Sequence, residues 1–215
     1  AGTMIKVDDI IERESKALLD AHVAAIDTKG VAVYTRTFKG KLIPTLEQVC
    51  NALDVDLIIL EPRTNSIKDE VYLGKTSQIP ALIVPEGYVY KPIVKILIAL
   101  KSAVIQREGV LNPLISIKDK FKAVANILLV KTPLHSKNDL ELNAALLGLV
   151  TNKTTVESPT TFQAVLEHAK ANYPDMLCVV RRQRGFFSKL WEKDTILKKD
   201  FHSTTMPVLV LRGLK

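Results

Sequence analysis

Two cysteines, one tryptophan and four histidines in 215 residues leave little material for several kinds of chemistry. Cys50 falls in a helical pattern and Cys178 in an apolar strand pattern. Neither has a partner at metal-site spacing, so both read as buried thiols in a reducing, cytoplasmic setting. His22, His135, His168 and His202 are scattered without ligand spacing, and no metal site is expected. No apolar run approaches the roughly 20 residues of a membrane-spanning helix. The first residues carry a charged helical pattern rather than that of a leader peptide. Ser136, Ser188 and Ser203 stand in no nucleophile-elbow context, which removes sequence support for hydrolytic catalysis.

What the chain does have is apolar material and an uneven charge. At 47% hydrophobic residues it can bury one large core or two small ones. The net charge is +7, and residues 181–215 hold nine basic side chains against three acidic ones, so that stretch alone supplies +6. Clustered Lys and Arg could neutralise nucleic-acid phosphates. However, Lys189, Lys193, Lys198 and Lys199 fall on more than one side of their helical pattern and no recognition motif accompanies them. The stretch is read as a solvated face, and Phe186, Phe187, Leu190 and Trp191 as a packing face rather than a base-stacking platform.

The second half repeats the first. Leu57–Leu60 precedes Ile79–Val84 in one copy, as Leu177–Val180 precedes Met206–Leu211 in the other, and all four runs have the length of buried parallel strands. Leu57 and Pro80 lie 23 positions apart and Leu177 and Pro207 lie 30 apart, so the copies differ most in the loop and helix between these strands. Upstream, the pattern predicts a helix from Val7 to about Thr28, a strand over Val31–Phe38, a helix over Lys41–Leu53 and a weaker helix over Ser66–Thr76. Pro85, Gly87 and Pro92 then mark a linker. The second copy reads as strand Val94–Leu100, a helix within Leu111–Lys122, strand Ala125–Val130, helix Asp139–Thr151 and strand Thr154–Glu157. Helix Thr161–Asn172, strand Met176–Val180, helix Phe186–His202 and strand Pro207–Leu211 complete it. Alternation at this spacing specifies an α/β fold with parallel sheets covered on both faces. The implied units are 1–87, incomplete at its start, and 88–215, complete with five strands. Whether the missing opening is a natural truncation or a fragment is left open, and Ala1-Gly2-Thr3 before Met4 reads as a cloning remnant.

This order of elements resembles that of the universal stress protein family in its tandem two-domain form, over nearly the whole chain. The resemblance rests on the order itself, on Thr195–Val210 and on Thr76–Glu86, each a helix-to-strand passage with a proline before an apolar strand. It implies a flavodoxin-like, Rossmann-like strand order of 3-2-1-4-5, pairing of units through their last strands, and in some members ATP at the carboxyl ends of strands 1 and 4. Nucleotide-binding members carry Gly, two residues, Gly, nine residues, then Gly and Ser or Thr after strand 4. The matching positions are Arg181, Arg184, Asp194 and Thr195, of which only Thr195 fits, with Gly185 one residue out of register. Where such members end strand 1 with an Asp, this chain has Lys101. In the first copy Glu61–Ser66 has no glycine and Pro62 lacks an N–H, so no nucleotide is expected there.

Three glycine replacements oppose close backbone approach to a triphosphate. Lys101, Arg181 and Arg184 instead suit a small anion at the carboxyl edge, or pair with Asp194 and Glu192 and plug the pocket. The resulting expectation is a non-enzymatic binding or regulatory protein of the universal-stress type, without a required cofactor. The alternative is an ATP-binding member with weak ATPase activity. The apolar edges Ile79–Val84 and Val208–Leu211 are expected to pair, within the chain or in a homodimer. A first sheet of Val31–Phe38, Leu57–Leu60 and Ile79–Val84 would leave apolar area for a neighbour to cover.

Overall fold

The computed structural model describes residues 7–61, 79–101, 105, 109–133, 142, 144–181 and 206–212. The chain divides into two compact units, Ala1–Ala52 and Leu53–Lys215.

In the first unit, α1 (Val7–Ala24) starts with Asp8 and Asp9, where the helix dipole favours acids, and none of its residues is buried. It ends four residues before the periodicity does. The Asp27 carboxylate accepts the Lys29 N–H at 3.0 Å, and Lys29 and Gly30 both take positive φ, so the chain turns back at that point. The expected strand over Val31–Phe38 does not form. Its apolar–polar alternation is present, but Val31 is 66% exposed, Val33 48% and Tyr34 87%. An extended segment becomes a strand only when a second strand takes its N–H and C=O groups, and no described strand does so. Side chains hold it instead: Thr35 donates to Asp20, Lys16 donates to both, and Lys39 lies 3.6 Å from Asp8 and 3.8 Å from Glu12. The α2 helix (Leu42–Ala52) buries Cys50.

The second unit is one seven-stranded sheet. Its strands are β1 (Ile58–Leu60), β2 (Ala81–Ile83), β3 (Lys95–Leu100), β4 (Val124–Lys131), β5 (Asn152–Glu157), β6 (Met176–Arg181) and β7 (Val208–Arg212), in the order β1-β2-β7-β6-β3-β4-β5. From β5 to β7 the order is 3-2-1-4-5 as expected, and every pair in that half is parallel. At β7 the direction reverses. Ala81, Leu82 and Ile83 pair antiparallel with Val210, Leu209 and Val208, so the two apolar edges identified in the sequence meet within the chain.

Helices cover both faces, which is why the central strands are continuous apolar runs. On one face Leu97, Ala99, Leu128, Val130, Leu177 and Val179 pack with Ala164, Val165, Leu166 and Ala169 of α5 (Thr161–Asn172). On the other, Ile96, Ile98, Ile127, Leu129 and Cys178 pack with Leu114 of α3 (Asn112–Phe121) and Leu146 of α4 (Ala144–Leu149). The start of α5 is fixed by Thr160, whose Oγ1 accepts the Gln163 N–H at 3.2 Å. The helices expected over Ser66–Thr76 and Phe186–His202 lie outside the described residues.

The amino ends of β3 and β6 are tied together by one carboxylate. Asp175 accepts N–H bonds from Val94 at 3.0 Å and Lys95 at 2.9 Å, and Lys91 Nζ lies 2.9 Å from its other oxygen. Partial burial raises the Asp175 pKa, but the Lys91 ammonium and the two backbone donors outweigh it and hold the group below the usual carboxylate value.

Candidate functional site

In a doubly wound sheet the ligand crevice opens at the carboxyl edge where the chain leaves neighbouring strands in opposite directions. Here that point lies between β3, which continues to β4 on one side, and β6, which pairs with β3 on the other.

Register places the residues. Ala99 is level with Val179, so two positions further on Lys101, exposed just past the end of β3, is level with Arg181 at the end of β6. Arg181 is in turn level with Arg212 on β7. Three adjacent strand ends thus carry a basic residue at one level. Of the six residues that the sequence marked, Lys101 and Arg181 arrive on neighbouring strands, while Arg184, Gly185, Asp194 and Thr195 lie outside the described residues.

Beside this row, the ends of β4 and β5 form an open cleft of about 450 Å³ lined by Lys131, Thr132, Pro133, Glu157, Ser158 and Pro159. Lys131 Nζ and Glu157 are 3.5 Å apart, and the Ser158 N–H donates to the Lys131 carbonyl at 3.0 Å. The sequence reading missed this cleft. Its signal was the matched pair Thr132-Pro133 and Ser158-Pro159, a small hydroxyl residue and a proline immediately after each of two neighbouring parallel strands. The prolines stop the ladder and turn both chains away, leaving the gap open.

Burial pushes the Cys178 thiol far up and raises that of Cys50, so neither forms a thiolate at neutral pH. Burial lowers the His168 pKa, on α5. Among the described residues no three His, Cys, Asp or Glu side chains gather as a metal site would need. No helix there is long and apolar enough to cross a membrane.

No family model matches the chain, and no curated protein matches it either. Solved structures do. A functionally unknown protein from Pseudomonas aeruginosa PAO1 matches 92% of this chain and 77% of its own length, with a TM-score of 0.55 at 16% identity. A universal stress protein from Archaeoglobus fulgidus DSM 4304 matches 98% of this chain and 81% of its own length, with a TM-score of 0.63 and also 16% identity. What this chain shares with the Archaeoglobus fulgidus universal stress protein is the fold, an α/β sheet that is mostly parallel.

Proposed function

We propose that the chain is a universal-stress-type binding or regulatory protein and not an enzyme, and that its carboxyl-edge crevice excludes Mg-ATP and favours compact anions. The observation that carries this reading is the basic row: Lys101 and Arg181 stand level at the switch point, next to Arg212. A magnesium-bound triphosphate needs an acidic or neutral oxygen donor near the metal and a backbone that approaches the phosphates closely. Lys101 and Arg181 instead supply positive charge, which suits phosphate, sulfate or carboxylate held directly.

The rival reading, an ATP-binding protein with weak ATPase activity, draws support from the cleft of about 450 Å³ beside the row, which could admit a planar base. Calorimetry and thermal shift with Mg-ATP, AMP, phosphate and sulfate separate the two. The proposal expects protein that purifies without nucleotide and an ATP affinity weaker than millimolar, a gain of less than about 4 kcal/mol. Phosphate or sulfate should raise the melting temperature, and Lys101→Glu should remove that rise. Micromolar, Mg²⁺-dependent ATP binding would sink the proposal and promote the rival.

A further inference from the structure

The far edge of the sheet is formed by β5. β5 pairs with β4 on one side, and among the described residues no strand lies beyond it. The Ser158 N–H bonds to the Lys131 carbonyl, and this fixes the phase of the parallel ladder. Residues 154 and 156 direct their backbone groups to β4, whereas Lys153, Thr155 and Glu157 direct theirs to the open edge. Five of the six β5 residues are exposed, including these three.

We propose that β5 is the interaction surface for a second copy of this chain, paired antiparallel about a two-fold axis with Thr155 opposite Thr155. Charge complementarity carries the choice of partner and register. Where Thr155 meets itself, Lys153 lies directly opposite Glu157 of the second copy, twice, and no like charges oppose. All three facing pairs are ones whose N–H and C=O groups already point outward, so the ladder hydrogen bonds form without moving β4. The side chains of the three share the face of their β4 partners Ile127, Leu129 and Lys131. Lys153 and Glu157 each already interact within their own chain, and Glu157 is 82% exposed, so the cross-copy pair adds a second partner to each. The opposite edge is less suited. β1 has three residues, and the nearest charges flanking it, Asp56 and Glu61, are both acidic.

Sedimentation velocity across a concentration series tests this, with circular dichroism confirming that each variant is folded. The expected result is a monomer–dimer equilibrium. Lys153→Glu should weaken it by about tenfold or more, since an attractive pair becomes repulsive at both ends, and adding Glu157→Lys should restore it to within a few-fold. Thr155→Pro removes an N–H that the intrachain ladder does not use, so it should keep the fold and abolish the dimer. A protein monomeric at every concentration overturns the proposal. So does a dimer indifferent to Lys153→Glu, or one that persists in folded Thr155→Pro and therefore uses another surface. If Thr155→Pro fails to fold, the charge swap and its rescue decide.

Discussion

β3 and β5 flank the same strand in the same direction, and their sequences are opposite in character. Lys-Ile-Leu-Ile-Ala-Leu is buried at every position but its first, whereas Asn-Lys-Thr-Thr-Val-Glu is exposed at every position but Val156. The difference teaches what an α/β sequence records. β3 has a strand on each side and a helix layer on each face, so only apolar residues escape an unpaired polar group. Among the described residues β5 has a strand on one side only, and its charges and threonines keep such an edge soluble and selective in what it pairs with.

The contrast can be tested on a single rung, where Leu128 of β4 and Thr154 of β5 are register partners. Leu128 is fully buried, so Leu128→Ala should lower the unfolding free energy by about 2–5 kcal/mol in urea titrations. A loss below about 1 kcal/mol would mean that the interior is looser than its burial indicates. Next is the clamp that enters β3. Asp175→Asn should cost about 1–3 kcal/mol, because the lost charge bonded two backbone donors and an ammonium. The sign follows from a folded-state pKa held below the ordinary 3.8. The carboxylate's contribution is present above that value and is lost as pH falls through the lower folded-state pKa. The gap between wild type and Asp175→Asn should therefore close as the pH falls below 3.8 and through the lower folded-state pKa, and a gap independent of pH there would contradict the clamp. Thr160→Ala removes the cap of α5, one layer out, and should cost about 1 kcal/mol by thermal melting. Thr154→Ala, across the rung from Leu128, should stay within about 0.5 kcal/mol of wild type at concentrations where the protein is monomeric.

Legibility in the sequence follows the same gradient. Thr161–Asn172 matches α5 to the residue because a Thr160 cap opens it and one apolar stripe packs on the sheet, and Val94–Leu100 and Met176–Val180 fall within one residue of β3 and β6 because both faces of these strands are covered and the apolar pattern has no competitor. Alternation of elements gave the parallel α/β class, and the order 3-2-1-4-5 was what the family resemblance implied. Val31–Phe38 misled because alternation reports a propensity for pairing, and no partner strand is described for it. Of the candidate site, two positions legible in the sequence are placed side by side by the register. Lys101 and Arg181 were found as the positions that match the family's strand-1 Asp and first motif glycine, but the cleft at Thr132-Pro133 and Ser158-Pro159 depends on two strands being neighbours and becomes visible only once β4 and β5 are paired.

The antiparallel joint between β2 and β7 has a kinetic consequence. Ala81 and Val210 are among the most widely separated partners in the sheet, whereas β3 and β4 meet across a much shorter connection. Closing the longer loop costs more chain entropy and rewards only three residues per strand. β1 and β2 should therefore dock last and open first, as a cooperative unit whose amides exchange with solvent while those of β3 and β4 remain protected. β7 then sets the persistence of β1 and β2 as well as its own, since without it the β1–β2 pair has no described neighbour to join.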